Sequence, residues 1–285
     1  MASETPAPYT LPNTEVRDMH ARQLNRDYQL YIGLPKSYGT GHQSYPVVFV
    51  TDAPYAFPLT LSVEARITGH SKRLPEFILV GLSYAKGDTA EFSRRRDYTP
   101  GAPEDKTLTS DMPGRTPVFG EAEGYRRFIA DEVFPFIAAN YRADMSHKII
   151  AGHSYGSLFA AYVLLTDPGM FSGYVLGSPS LWYGKRFMFQ REREFAATAK
   201  DLPVKIYMGV GAFEGYAPKN RRGDARYSTD DDMVSDSASF AHALASHHYP
   251  GLRLHSEVIA DEDHLTVAPI LITRGLVWTL GGGRQ

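Results

Sequence analysis

The chain has 285 residues, of which 43% are apolar and 22% are charged, an ordinary balance for a globular protein. Its 30 Lys and Arg residues nearly balance its 32 Asp and Glu residues, and a net charge of −2 argues against nucleic-acid binding through overall charge. The chain has no cysteine, which excludes thiol nucleophiles, zinc-thiolate sites, iron–sulfur clusters and disulfides.

The amino-terminal segment is small, polar and rich in proline. We predict that residues 1–25 form an arm, because Pro6, Pro8 and Pro12 oppose a helix. This segment lacks the basic and apolar regions of a signal peptide, and no apolar run approaches the ~18 residues of a membrane span. We therefore expect a cytoplasmic protein with no membrane span, although a cloned mature chain would have the same start.

Predicted strands and helices alternate through the rest of the chain. The predicted strands cover residues 28–32, 45–51, 76–84, 148–151, 173–177, 204–210 and 252–259. The predicted helices cover approximately residues 59–70, 121–141, 157–165, 231–248 and 268–280. A long polar loop interrupts the alternation at about 85–120, and candidate lids lie at about 181–200 and 216–230.

This alternation predicts a single α/β domain over residues 26–285. Strands separated by helices form a mostly parallel central sheet with helices on both faces. In such sheets, active sites lie at the carboxyl ends of the strands, so the loops that follow the strands are where chemistry is expected.

Residues 152–156 form a G-x-S-x-G pentapeptide between a predicted strand and a predicted helix. This strand–turn–helix setting is typical of a nucleophile elbow, which exposes the Ser154 hydroxyl above the sheet. Gly152 and Gly156 fit a turn too tight for side chains. The simpler alternative is a serine that caps an ordinary helix.

A serine hydroxyl needs a general base, and His264 is the strongest candidate among ten histidines. It follows the last predicted strand and precedes the last helix, which places it on the same rim as Ser154. The other late histidines lie within predicted elements: His242, His247, His248 and His255.

The acid that would orient His264 is expected after the strand at 204–210, where Glu214 lies. Other carboxylates remain alternatives, although they are more simply solvated charges or residues of a helix start: Asp224, Asp230, Asp231 and Asp232. A Ser–His pair without a third acid also remains open.

An oxyanion hole needs two backbone N–H groups. One is expected from Tyr155, directly after the nucleophile. The other is expected from the loop after the strand at 45–51. Pro54 has no N–H, which leaves Ala53 or Tyr55, and Ala53 is preferred.

Several segments of the sequence resemble those of a known family. The matching segments are the strand Val47–Asp52 with Phe57, the motif Arg96-Asp97-Tyr98-Thr99-Pro100, the elbow, Ser178-Pro179-Ser180-Leu181-Trp182, and the segments around Glu214 and His264. They are similar to the esterase D / enterobactin-esterase group of the α/β-hydrolase superfamily, also called the putative esterase family. The resemblance implies an α/β-hydrolase fold. Ala53 departs from the glycine usual at its position, and some relatives use Asp as the acid.

Four side chains are candidate substrate contacts: Tyr55, Arg96, Trp182 and Phe213. The aromatic ones could line an acyl or aryl pocket. Arg96 either pairs with Asp97 or with carbonyl groups to fix the long loop, or it meets an anionic or catecholate substrate. Arg94 and Arg95 are expected to be solvated.

The residues and the resemblance together predict a serine carboxylic-ester hydrolase that works through an acyl-enzyme on Ser154. The substrate is expected to be a small-molecule ester, either a siderophore-type lactone or another small acyl or aryl ester. Two alternatives remain, an acyltransferase with the same catalytic residues and a non-catalytic binding protein of the same fold. No cofactor, metal or nucleic acid is implied, and the oligomeric state is not predicted.

Overall fold

An eight-stranded sheet forms the centre of the protein. The computed structural model describes residues 7–68, 70–71 and 74–281. The strands are β1 (Thr14–Ala21), β2 (Arg26–Gly33), β3 (Tyr45–Val50), β4 (Ile78–Leu82), β5 (Ala143–His153), β6 (Gly173–Gly177), β7 (Lys205–Gly211) and β8 (Arg253–Ile259). Their order across the sheet is β1-β2-β4-β3-β5-β6-β7-β8.

Strand direction divides the sheet into two parts. β1 and β2 form an antiparallel edge that continues antiparallel onto β4, whereas every pairing from β4 to β8 is parallel. The central strands are continuous apolar runs because both of their faces are covered, as in ILVGL of β4. Because the strands from β4 to β8 are parallel, their carboxyl ends lie at one rim of the sheet.

Helices cover both faces of the sheet. They are α1 (Ala53–Thr68), α2 (Ala90–Asp97), α3 (Ala122–Phe128), α4 (Phe134–Asn140), α5 (Tyr155–Thr166), α6 (Tyr183–Ala196), α7 (Met233–Ser246) and α8 (Ala268–Leu280). A π-helical turn, Ile129–Val133, joins α3 to α4. α1 and α8 enclose one apolar core, and residues of α3 to α7 enclose the other. The predicted α/β architecture is confirmed.

The prediction of an arm over residues 1–25 is wrong for its second half. Thr14–Ala21 forms β1, an edge strand whose Thr14 lies opposite Gly33 of β2. The three prolines that suggested an arm all precede this strand, and the first six residues lie outside the described residues.

Three helices differ from their predicted limits. α1 begins at Ala53, six residues before the predicted start, because Pro54 is tolerated in a first turn. The predicted 85–120 loop contains α2, whose cap residue Thr89 accepts a hydrogen bond from the Phe92 N–H at 3.2 Å. Most of the candidate lid at 181–200 is α6, in which residues 184–186 have left-handed φ values. No helix within the described ranges is long and apolar enough to cross a membrane.

Candidate active site

The elbow at Ser154 has the sharp strand–turn–helix geometry that its sequence predicts. Ser154 separates β5 from α5 and has a φ of 59° and a ψ of −122°. A Cβ at residue 152 would lie 2.4 Å from the carbonyl carbon of Gly156, and one at residue 156 would lie 2.1 Å from Thr51 Oγ1. Both positions therefore require glycine, and a strained serine at this point is typical of a functional site.

Glu214 and His264 are joined by a hydrogen bond between His264 Nδ1 and Glu214 Oε2, 2.5 Å apart. The other carboxylate oxygen, Oε1, accepts the Ser178 hydroxyl at 2.6 Å and the Gly211 N–H at 2.7 Å. Glu214 is 4% exposed, so its charge is stabilised by these three partners rather than by water. This arrangement aims one carboxylate oxygen at the histidine ring.

The chain brings the two residues together through neighbouring loops. Glu214 ends a short 3₁₀ turn, Ala212–Glu214, directly after β7. The Phe213 N–H donates to the Glu262 carbonyl at 3.0 Å, which ties this turn to the loop that carries His264 after β8. The site is thus built at the rim where parallel strands end.

Two of the four alternative acids, Asp224 and Asp232, have structural partners of their own, whereas Asp230 and Asp231 line the same cavity as Ser154. Asp224 accepts Arg226 Nη2 at 2.6 Å, and Asp232 accepts the Ser235 N–H at 2.9 Å as the cap of α7. These contacts account for both carboxylates without His264, which contacts Glu214 instead.

His153, the residue before the serine, is a buried neighbour of His264. Their ring centroids are 4.5 Å apart. Burial, reinforced by the charges of His264 and Arg94, lowers the pKa of His153 to about 3. His153 is therefore neutral at physiological pH and adds no positive charge beside His264.

Both candidate oxyanion donors begin a helix. Ala53 is the first residue of α1 and Tyr155 the first of α5, so neither N–H has a carbonyl partner within its own helix. The Tyr55 N–H donates instead to the Asp52 carbonyl at 3.0 Å. Of Ala53 and Tyr55, the two candidates that the sequence offered, Ala53 is thus the one whose N–H does not donate to the Asp52 carbonyl.

The candidate catalytic side chains line one cavity of about 320 Å³. Ser154, Glu214 and His264 share it with other side chains, most of them aromatic or polar: Ser180, Trp182, Phe213, Arg226, Tyr227, Ser228, Asp230, Asp231, Met233 and Asp263. Ser154 Oγ lies 3.4 Å from Ser180 Oγ. Several lining residues come from the candidate lid at 216–230. In the described residues, no group of three or more His, Asp or Glu side chains could hold a metal ion.

Two of the four candidate substrate contacts are displaced from this cavity. Trp182 and Phe213 line it, whereas Tyr55 is 45% exposed and is not one of the described lining residues. The prediction that Arg96 contacts substrate is wrong. Arg96 is 3% exposed and is enclosed by Asp88 at 2.6 Å and Asp97 at 2.8 Å, so the simpler alternative, pairing that fixes the loop, is what the structure has.

Sequence reasoning missed three residues that organise the site. Ser178 supports Glu214, and Ser180 lies beside Ser154. The Ser-Pro-Ser motif that contains both was a signal, but it indicated no role. Arg94 is not solvated as expected, since its Nε lies 2.9 Å from Asp52 Oδ1 and its side chain is 21% exposed.

A serine on an elbow, a histidine and a carboxylate at the rim of this sheet define an α/β-hydrolase. The sequence model of the protein family described as "Putative esterase" matches residues 21–258. The chain belongs to this family, and it is an esterase. The resemblance seen in the sequence is therefore confirmed.

Individual relatives agree with this assignment. The ferri-bacillibactin esterase BesA of Bacillus subtilis is 32% identical over 281 residues, which cover 95% of this chain and 91% of BesA. The siderophore triacetylfusarinine C esterase of Aspergillus fumigatus is 24% identical over 96% of this chain and 95% of its own. The crystal structure of the BES protein from Bacillus cereus shares the fold, with a TM-score of 0.80, 23% identity and coverage of 97% of this chain and 99% of that protein.

Proposed function

We propose that this esterase is a serine carboxylic-ester hydrolase that works through an acyl-enzyme on Ser154. The observation that carries the proposal is the orientation of Glu214. Its Oε1 is occupied by two donors and its Oε2 faces His264 Nδ1, in the same cavity as Ser154. This contact keeps a proton on Nδ1 and leaves Nε2 of the ring free to accept one.

The proposed reaction has two halves. Ser154 Oγ attacks the ester carbonyl carbon while its proton passes to His264 Nε2, and Glu214 stabilises the imidazolium. The N–H groups of Tyr155 and Ala53 donate to the oxyanion. The C–O bond to the alcohol then breaks, and the alcohol leaves with the proton from His264. Water then attacks the acyl-enzyme while its proton passes to His264, and His264 returns that proton to Ser154 as the acid is released.

We propose a siderophore-type ester as the substrate class. The named relatives act on ferri-bacillibactin and on triacetylfusarinine C, which motivates the choice. The cavity favours a group with a planar or apolar face, because Trp182, Phe213 and Tyr227 line it. Arg226 packs over the Phe213 ring at 4.6 Å while it pairs with Asp224, so the rim combines aromatic and charged surface.

A fluorophosphonate probe and an ester panel test the two parts of this proposal. The wild-type protein is expected to bind the probe covalently, and Ser154→Ala to lose both labelling and hydrolysis. Equal labelling of Ser154→Ala would overturn the role of the serine. The panel compares p-nitrophenyl esters of rising acyl length with ferri-bacillibactin and triacetylfusarinine C. Activity on p-nitrophenyl esters alone would contradict the siderophore assignment, and acyl transfer to an added alcohol in preference to water would contradict hydrolysis.

A further inference from the structure

A partly buried ion pair lies directly beside one proposed oxyanion donor. Arg94, on α2, has its Nε 2.9 Å from Asp52 Oδ1, and the two side chains are 21% and 10% exposed. The Tyr84 hydroxyl donates to the same oxygen at 2.8 Å. Burial raises the pKa of the Asp52 carboxyl, and the adjacent Arg94 charge is the largest influence that opposes this rise. The pair connects the long excursion after β4 to the end of β3.

Asp52 controls the backbone that presents Ala53. Its φ is 55°, in the left-handed region that non-glycine residues rarely adopt. Its N–H donates to the Tyr98 hydroxyl at 3.2 Å, and its carbonyl accepts the N–H groups of Tyr55 and Ala56. A strained residue persists only where its surroundings hold it, and the side chain of Asp52 is held by Arg94 and Tyr84.

Arg94 also contacts the second proposed donor residue. Its guanidinium carbon lies 5.5 Å from the centroid of the Tyr155 ring, within the range of a cation–π contact. The same cation therefore touches Asp52, which precedes Ala53, and the side chain of Tyr155. Arg94 is not among the described residues that line the cavity, which argues against a direct contact between Arg94 and the substrate.

We propose that Arg94 is a positioning residue that fixes the two oxyanion N–H groups relative to each other, through Asp52 on one side and the Tyr155 ring on the other. This inference rests on the proposed serine-hydrolase function. An oxyanion hole works because its donors are held in place before the reaction, so a loosened donor weakens binding of the transition state more than binding of the ester.

The first experiment compares Arg94→Met with Arg95→Met. Arg95 is the matched control, because it lies on the same helix and loses the same charge, but its partners are Glu91 at 2.7 Å and the Thr109 carbonyl at 3.0 Å. Since removing an oxyanion donor outright costs about 10²–10³ in kcat, loosening both is expected to lower kcat by about 10- to 100-fold. KM should stay within about threefold, and Arg95→Met within about twofold of wild type in both constants.

The inhibition constant of a trifluoromethyl ketone distinguishes a positioning role from a merely structural one. The ketone forms a hemiketal oxyanion on Ser154, so its inhibition constant should rise for Arg94→Met in the same proportion as kcat/KM falls. Far-ultraviolet circular dichroism and thermal melting establish that each variant is folded. If Arg94→Met does not fold, Arg94→Lys and Asp52→Asn carry the test. Asparagine tolerates the left-handed backbone of residue 52 but removes its charge.

The double variant Asp52→Asn with Arg94→Met tests the connection between the two residues. If Arg94 acts through Asp52, the double variant should lose little more kcat than the worse single variant. Three results would overturn the inference: unchanged kcat in folded Arg94→Met or its substitutes, a rise in KM alone, or fully additive losses in the double variant. A wild-type protein that neither hydrolyses esters nor reacts with a fluorophosphonate would overturn the proposed function instead.

Discussion

Replacing Glu214 with glutamine is the sharpest test of the proposed catalytic set, because the structure determines how the new amide must sit. Oε1 of Glu214 accepts two hydrogen bonds, from the Ser178 hydroxyl and the Gly211 N–H. An amide NH₂ cannot accept them, so in Glu214→Gln the amide oxygen keeps that position. The NH₂ group then occupies the position of Oε2 and faces His264 Nδ1.

This orientation reverses the tautomer of the histidine. Nδ1 must accept a hydrogen bond from the amide, so the ring proton moves to Nε2, the atom proposed to take the proton of Ser154. The corresponding carboxylate-to-amide change in other serine hydrolases lowers kcat by about 10⁴ with the geometry intact. For Glu214→Gln we expect a loss of about 10³–10⁴, equivalent to about 4–5.5 kcal/mol in activation free energy.

The assay is steady-state hydrolysis of a p-nitrophenyl ester, together with the rate of labelling by a fluorophosphonate. Asp232→Asn is the matched control, because Asp232 was an alternative acid and the structure gives it the cap of α7. That variant should keep kcat within about threefold and leave stability nearly unchanged, because asparagine caps a helix about as well as aspartate. If folded Glu214→Gln kept more than a tenth of the wild-type kcat, the tautomer reasoning would be refuted.

Three further variants test the support of the site and its surroundings. Ser178→Ala removes one of the donors to Glu214 and should lower kcat by about tenfold while the protein stays folded, and an unchanged kcat would contradict this support. Gly156→Ala places a Cβ 2.1 Å from Thr51 Oγ1 and should cost about 1–3 kcal/mol in thermal unfolding, so an unchanged melting temperature would count against the tight turn. Glu64→Gln should raise the free energy of unfolding at pH 8. Burial raises the pKa of Glu64 from 4.5 to about 7. As the pH rises above 4.5, the Glu64 carboxyl loses its proton in the unfolded state before it does so in the folded state, and this difference stabilises the unfolded state. The gain is at most about 3 kcal/mol at pH 8 and vanishes near pH 4.5, and urea unfolding curves that coincide at both pH values would contradict it.

Local sequence patterns predicted the parts of the protein that depend on neighbouring residues. The glycines around Ser154 act on a turn of five residues, so the elbow could be predicted with its flanking strand and helix. The buried strands could be predicted because continuous apolar runs need two covered faces. The position of His264 and Glu214 at the rim could be predicted because parallel strands present their carboxyl ends at one rim.

The missed features depend on partners that are distant in sequence. β1 is an edge strand with exposed charged residues and lacks the apolar run of the central strands. α2 has little apolar surface, and its Arg96 is instead enclosed by Asp88 and Asp97. Nothing near Arg94 in the sequence indicates that its partner is Asp52, since only the folded sheet brings the two together.

The parallel part of the sheet has a consequence for how activity should emerge during folding. The proposed groups follow four different strands, with Ala53 after β3, Ser154 after β5, Glu214 after β7 and His264 after β8. These four residues are at least 50 positions apart along the chain, and of the proposed groups only Tyr155 is adjacent to one of them, so the site exists only after the long-range pairing of these strands is complete. A collapsed chain with its helices formed would still be inert. Hydrolysis should therefore return last in a refolding experiment, after the helical signal, and would serve as a gauge of complete assembly rather than of secondary structure.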